Sequence, residues 1–436
     1  MVQKLLMISH SGFSDENANG ITMKNLLSAW KAEEKAELYF DVQPPDFHAA
    51  YTCFRVTDMQ MLRSFMGKKS QCIFTKAATK ETSGVEREEP KIARRDVKKI
   101  PEQLKRLKYN FIVKWIREIL WMCGPWGKSA MEAWIDSVSP DAVIYMVGES
   151  IFMDRLVLQL CQRLGKPLIL YNSEAFRIIN VKERHGLERA YYKKTARLYE
   201  KLNRAAAMVI YNSELLKQAY EKQYPSTYGM VAYNSACCDF SPYVPQPEKK
   251  LQITYFGNLG VGRVESLVAV AEELQGIDPA LEIHVYGTAR GEDLVKLQQT
   301  QGIQYHGFVS AEQLHDIIEQ SDLLLHVESF DVEIQKKLRY AFSTKIAQCL
   351  CAGRCMVTFA PMDTASTQYL ASLHGGAAVA CDREELRATL DEIIKEAAVR
   401  SSYAACALKA GEENHAMERT SNCVRKQIEE IIRLKS

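Results

Sequence analysis

Short apolar runs alternate with longer stretches in which apolar residues recur every three or four positions, through both halves of the chain. In the first half the strand-like runs are Lys4–Ser9, Ala142–Met146, Pro167–Tyr171 and Met208–Asn212, and helical periodicity covers Met23–Lys35, Phe152–Leu164 and Glu188–Arg204. In the second half strands are predicted at Gln252–Phe256, Glu282–Tyr286, Ile303–Gly307, Leu323–Val327 and Cys355–Thr358, with helices at Val264–Leu274, Ala311–Gln320 and Thr344–Cys351. Apolar strands separated by amphipathic helices imply βαβ units and a parallel sheet buried on both faces, so the fold class is α/β. Residues 239–250 contain three prolines and no periodicity, as a linker does. The expected division is a first domain at 1–240, a linker at 241–250 and a second domain at 251–411. A last helix follows at 412–436, with Val424, Ile428, Ile431 and Ile432 at core-facing spacing.

Composition narrows the class without naming a chemistry. A chain of 436 residues with 47% apolar and 25% charged residues buries a sizeable core, and a net charge of +2 argues against a dedicated nucleic-acid binder. Twelve cysteines are scattered with no CxxC pair; Cys349, Cys351 and Cys355 are read as packed, reduced thiols, which points to a reducing cytosol. No run approaches the ~20 apolar residues of a membrane span, and the expected location is cytoplasmic.

Residues 66–130 depart from the pattern. A basic run from Lys91 to Lys108 leads into a helix-like stretch carrying Phe111, Ile112, Trp115, Ile116, Ile119 and Trp121. Two readings stay open: a solvated basic face followed by a core-packing helix, which is favoured, or peripheral contact of residues 91–126 with anionic lipid at the inner membrane face.

The strongest chemical signal is Leu251–Leu267, LQITYFGNLGVGRVESL, in which a strand ends in a glycine-rich turn closed by Arg263 at the start of a helix. Backbone N–H groups, the helix dipole and the guanidinium there suit an anion. Asn19-Gly20, placed just before a helix starting near Thr22, offers a second close approach for a ligand. Gly287 and Phe308 follow two further strands, and Glu328 follows a third as a carboxylate suited to sugar hydroxyls. Ser343, read as an N-cap, opens a helix with Thr344 and Lys345, whose ammonium complements a diphosphate. Glu174 follows a first-half strand. The chain has no Walker A, G-x-S-x-G, HExxH or D-x-D sequence, so no metal is expected.

Together YFGNLGVGRVESL, VYG, YHGFVS, HVESF and FSTKIAQCLCAGRCMV, with SPDAVIYMVGES and AMVIYNSELLKQAY in the first half, resemble a GT-B glycosyltransferase of the family 4 type from bacterial polysaccharide or capsule assembly. That resemblance implies two Rossmann-like domains whose parallel sheets face a cleft, a nucleotide-diphosphate sugar donor on the second domain, and an acceptor on the first. It implies metal-independent transfer, usually with retention, to a glycan or lipid-linked acceptor. Arg263, Lys345 and Glu328 take the catalytic positions. Gly20, Gly257, Asn258, Gly287, Phe308, Ser343, Thr344 and Gln348 contact the donor, and Glu174 the acceptor. Gln348 stands where the family often carries a glutamate, giving one acceptor oxygen in place of two. A degenerate assembly partner and a nucleotide-sugar epimerase of the same fold are the alternatives.

Overall fold

Among the described residues of the first half of the chain, eight strands form one sheet: β1 (Leu5–Ser9), β2 (Lys35–Tyr39), β3 (Thr52–Arg55), β4 (Cys72–Thr75), β5 (Ala142–Met146), β6 (Leu168–Asn172), β7 (Ala206–Tyr211) and β8 (Gly229–Val231). Their order is β4-β3-β2-β1-β5-β6-β7-β8, parallel throughout except for the edge strand β4, which runs antiparallel to β3. The computed structural model describes residues 3–15, 17–67, 72–75, 110–226, 228–246 and 248–435. The basic run of residues 91–108 falls outside these.

Six strands form the second sheet: β9 (Ile253–Phe256), β10 (Ile283–Tyr286), β11 (Ile303–Gly307), β12 (Leu323–Val327), β13 (Cys355–Phe359) and β14 (Ala378–Ala380). All are parallel, in the order β11-β10-β9-β12-β13-β14. Counted within the sheet this is 3-2-1-4-5-6, the doubly wound order, and its direction reverses between β9 and β12. Loops leaving the carboxyl ends of those two strands therefore diverge and open a crevice beside the sheet.

Two compact units result, Met1–Ala232 with Ser421–Ser436 and Tyr233–Thr420. Each has its own core. In the first, Leu5, Met7, Ile144, Ile169 and Ile210 of the strands pack with Val424, Ile428 and Ile432 of the Met417–Lys435 helix. In the second, Ile253, Tyr255, Leu323 and Leu325 pack with Val264, Leu267 and Val270 of the Arg263–Ile277 helix. Both cores are strand residues against one apolar helix stripe, as period-2 and period-3.6 patterns dictate.

Several sequence expectations need correction. The helix read at Met23–Lys35 spans Ala18–Leu26, and Lys35 instead begins β2, paired to β1 from Leu5↔Lys35 to Ser9↔Tyr39. Of the strong helix formers there, Ala32, Glu33 and Glu34 make only a single 3-10 turn, and Lys35 is taken into the sheet, where an interior place overrides propensity. Cys349 and Cys355 are free and buried, but Cys351 is joined to Cys238 across 113 residues of sequence. The reason is tertiary: residues around Ala236 run beside the Lys345–Cys351 helix, and Ala236, Ala347 and Cys351 share a small core. In the Phe111–Cys123 helix, Trp121 is buried and stacks on Phe152 at 4.5 Å, so one side of it does pack inward.

Candidate functional site

The carboxyl end of the second sheet is built on glycines. Gly257 follows β9, Gly287 follows β10 and Gly307 closes β11, all with positive φ (119°, 154° and 78°). They are laced across the strands, Gly257 N–H to Tyr286 O at 2.9 Å and Gly287 N–H to Gly307 O at 2.8 Å. A Cβ on Gly287 would collide with the Gly257 carbonyl, so side chains are kept off this ledge. Beyond it the Asn258 side chain accepts from Gly260 N–H at 2.8 Å, and the Tyr255 hydroxyl donates to Asn258 O at 2.7 Å. Gly262, at φ 73°, then leads into the Arg263–Ile277 helix, which has no side-chain cap. The first-turn N–H groups of that helix are thus a set of donors without a side-chain acceptor.

Arg263 sits on the first turn of this helix, and β12 brings Glu328 to it. Arg263 Nε and Nη2 reach the two Glu328 oxygens at 3.0 Å each, a bidentate pair. Ser266, one turn along the helix, donates to the Glu328 carbonyl at 2.7 Å and fixes that backbone. The pair is largely buried, with side-chain exposures of 13% and 7%. His326, two residues earlier on β12, is wholly buried; neither ring nitrogen has a hydrogen-bond partner, and Nε2 lies 3.7 Å from Glu328. Burial, with Lys345 and Arg263 nearby, holds its pKa well below the usual value, so the ring is neutral.

Lys345 begins the Lys345–Cys351 helix and turns back toward β9. Its ammonium lies 3.4 Å from Phe256 O and 3.8 Å from the centre of the Tyr255 ring. Burial, and then the neighbouring Arg263, lower its pKa to about 7. The arrangement therefore holds two basic groups, one clamped by a carboxylate and the other about half protonated near neutral pH because of its surroundings. An anion of two or more charges arriving at the glycine ledge would find both positioned to bind it.

The remaining sequence-predicted residues divide. Gly257, Asn258 and Gly287 share this end of the sheet with Arg263, Glu328 and Lys345. Phe308, just past β11, is 81% exposed. Ser343 differs from expectation: Thr344 occupies the N-cap without a side-chain bond, while Ser343 N–H donates to Ser366 Oγ at 3.0 Å. The chain is pinned by that contact before the helix begins, so Ser343 cannot take the cap geometry. Thr344 and Gln348 are exposed. Gly20 lies inside the first turn of its helix, not before it, and its N–H is taken by the Asn17 side chain at 2.7 Å. A Cβ there would meet Gly12 O at 2.6 Å and Ser14 N at 2.7 Å, so close packing within its own loop accounts for the glycine.

In the first unit Glu174 follows β6, its side chain exposed but set low enough that burial raises its pKa. Its loop is held by Tyr220, whose hydroxyl donates to Glu174 O at 2.8 Å, and by Arg177, wholly buried against Asp154. Among the described residues no group of three or more His, Cys, Asp or Glu is arranged to hold a metal ion. His326, Tyr255 and Ser266 were not among the predicted site residues. Their signals are weak but present: a histidine in the apolar run LLLHV, and a serine three residues after Arg263 on the same helix face.

Comparison with known proteins agrees with this architecture. Residues 263–423 match the family model described as glycosyl transferase-like. No curated protein matches the chain significantly in sequence. Among solved structures, HepE (Alr3699) of Anabaena in complex with UDP aligns with a TM-score of 0.63 at 12% identity, covering 98% of this chain and 100% of its own. Sucrose-phosphate synthase of Thermosynechococcus elongatus gives 0.59 at 10% identity over 99% and 100%. OtsA without ligand gives 0.60 at 10% over 98% and 99%. These likenesses show the fold, two α/β units of the GT-B glycosyltransferase type. No helix among the described residues is long and apolar enough to cross a membrane.

Proposed function

We propose that this chain is a glycosyltransferase that takes a sugar from a nucleoside-diphosphate donor held at the glycine ledge of the second unit. The observation that carries the reading is the meeting of Lys345, Arg263 and Glu328 where β9 and β12 diverge, the place at which open α/β sheets bind ligands. The diphosphate takes Arg263 from Glu328 and recharges Lys345. Both cations then stabilise the leaving nucleoside diphosphate, the electrostatic work that a divalent ion does in other enzymes. Gly257, Asn258 and Gly287 let the donor approach the backbone, and Phe308, Thr344 and Gln348 line its edge. Glu328, once released, is free to bind sugar hydroxyls. Binding of UDP and UDP-glucose by HepE supports a nucleotide-sugar donor.

The finer reading is metal-independent, retaining transfer of a hexose in the cytoplasm, of the family 4 kind, to a glycan or lipid-linked acceptor of capsule or exopolysaccharide assembly. Glu174 contacts that acceptor. The closed Arg263–Glu328 pair and the exposed Gln348 favour one rival, a partner subunit that binds donor without turnover. A thermal-shift panel of UDP, GDP, ADP, CMP and their sugar conjugates tests donor binding. A ligand at a hundredfold excess over its dissociation constant stabilises the folded state by about 2.7 kcal/mol. Transfer by the wild type, with loss of most of it in Arg263→Ala and Lys345→Ala, is expected. Wild-type turnover in both variants refutes the site; binding with no transfer to any acceptor favours the partner subunit.

A further inference from the structure

Behind the glycine ledge two wholly buried polar side chains stand idle. Leu323, Leu325 and Val327 of β12 and Cys355, Val357 and Phe359 of β13 all belong to the core under the Arg263–Ile277 helix. Strand alternation turns His326 and Thr358 to the opposite face of the sheet. The two are register partners, His326↔Thr358, on adjacent strands whose backbones run about 4.8 Å apart. Both are 0% exposed, and among the described residues nothing bonds to either ring nitrogen of His326 or to the Thr358 hydroxyl. Stranding such atoms is costly, because burial strips their water and returns nothing.

Glu328 lies within a small movement of this pair. His326 Nε2 is 3.7 Å from Glu328 Oε1, just beyond hydrogen-bond reach. The Glu328 backbone is held on both sides, its N–H donating to Phe359 O at 3.2 Å and its carbonyl accepting from Ser266 Oγ at 2.7 Å. Only its side chain can move, and both carboxylate oxygens are committed to Arg263. A diphosphate that takes Arg263 leaves behind a carboxylate with a side-chain exposure of 7% and no cation. A buried charge in that state is strongly disfavoured, so the exchange needs a second partner for Glu328. Lys345 cannot serve, because its ammonium faces Phe256 O and the Tyr255 ring and is drawn to the same diphosphate.

We infer that His326 is the receiving partner of Glu328, an inference that rests on the donor reading above. As the diphosphate draws Arg263 away, one Glu328 oxygen closes the remaining gap and accepts from His326 Nε2–H. The Thr358 hydroxyl donates to Nδ1, which keeps the ring proton on Nε2 and fixes the ring's orientation. The other Glu328 oxygen is then aimed at the hydroxyls of the donor sugar. The imidazole stays neutral throughout and no proton changes hands. His326 is thus a positioning residue, acting on the donor through Glu328.

Calorimetric titration with whichever nucleotide sugar of the UDP, GDP, ADP and CMP panel stabilises the wild type most tests this, with denaturant unfolding read on the same proteins. His326→Leu is expected to weaken donor binding about tenfold or more, the worth of a hydrogen bond to a charged group. It should unfold at a denaturant concentration no lower than the wild type, because leucine strands no polar atom. Glutamine carries its amide nitrogen to the place of Nε2 and asparagine only to that of Nδ1, so His326→Gln should stay within about threefold of wild-type affinity and His326→Asn should not. That pair decides the question if the leucine variant misfolds. Glu328→Gln has no charge to rehouse, so adding His326→Leu to it should change affinity by less than about twofold. Affinity within about twofold of the wild type in His326→Leu, equal losses in the Gln and Asn variants, or a loss undiminished in the Glu328→Gln background overturns the inference. So does a fall in the stability of His326→Leu that matches its loss of affinity, since the ring would then already be bonded in the unliganded unit. Failure of the wild type to bind any nucleotide sugar instead overturns the donor reading, and the inference falls with it.

Discussion

The partly protonated lysine at the glycine ledge makes donor binding a proton-uptake reaction. Lys345 has a pKa of about 7 in the unliganded chain, through burial and the nearby Arg263. The other groups around it are Glu328, held by Arg263, the neutral His326, and Cys349, whose thiol burial pushes up to about 12. A bound diphosphate adds negative charge beside the ammonium and returns its pKa toward the ordinary lysine range near 10.4. At pH 8 the unliganded lysine is only about one-tenth protonated, so binding takes up roughly 0.9 proton; at pH 6 it takes up about 0.1. Affinity accordingly falls about tenfold, or roughly 1.4 kcal/mol, for each pH unit above 7. Calorimetric titration with a nucleotide sugar in two buffers of different ionisation enthalpy reads the proton count directly. A nucleotide sugar is used because, unlike a free nucleoside diphosphate, it has no terminal phosphate titrating in this window. Lys345→Met should bind more weakly and take up no proton, whereas His326→Gln should keep the uptake. Intact binding at pH 8 with less than about 0.2 proton taken up refutes the reasoning, as does uptake that survives in Lys345→Met.

Two further outcomes follow from buried contacts. Glu37 is wholly buried on β2, accepts from Phe13 N–H at 2.6 Å, and has its pKa raised by burial to about 8. The native state thus holds a proton that the unfolded chain releases near pH 4.5, so stability drops as pH rises through the window from there to about 8. By pH 7 the loss is on the order of 3 kcal/mol, and Glu37→Gln should recover much of it while matching the wild type near pH 4.5. All five tryptophans lie in the first unit, so their fluorescence in urea at several pH values reports that unit alone; parallel curves for the two proteins would refute the prediction. In the second unit, a Cβ on Gly411 would meet Cys351 N and Leu350 C at 2.7 Å. Gly411→Ala should destabilise by about 1–3 kcal/mol, although helix propensity alone favours alanine by about 1 kcal/mol, and should weaken donor binding by displacing the helix that carries Lys345. A stabilised variant would mean that the two helices separate freely.

The sequence by itself determined the class of fold and half of the candidate site. AVIYM of β5 is an unbroken apolar run and LLLHV of β12 is broken only by His326; their shortness and the alternating helical stretches around them read as strands buried on both faces. The GNLGVGR turn and the position of Lys345 at a helix start were legible because local backbone chemistry needs glycine and a helix end regardless of what packs elsewhere. β2 and β3 were not legible. KAELY and TCFR mix Lys35, Glu37 and Arg55 with apolar residues, and these charges are tolerated in the sheet only because distant groups meet them. Lys35 donates to Leu27 O, Glu37 accepts from Phe13, and Arg55 reaches Val42 O and Gln43 O. The site's electrostatics belong to the same category. Arg263 and Glu328 are 65 residues apart, and the clamp between them exists because β9 and β12 are neighbours in the sheet though not in sequence. The low pKa of Lys345 and the unpartnered ring of His326 likewise depend on burial at that junction, and burial is set by what the whole unit folds around them, not by the residues on either side.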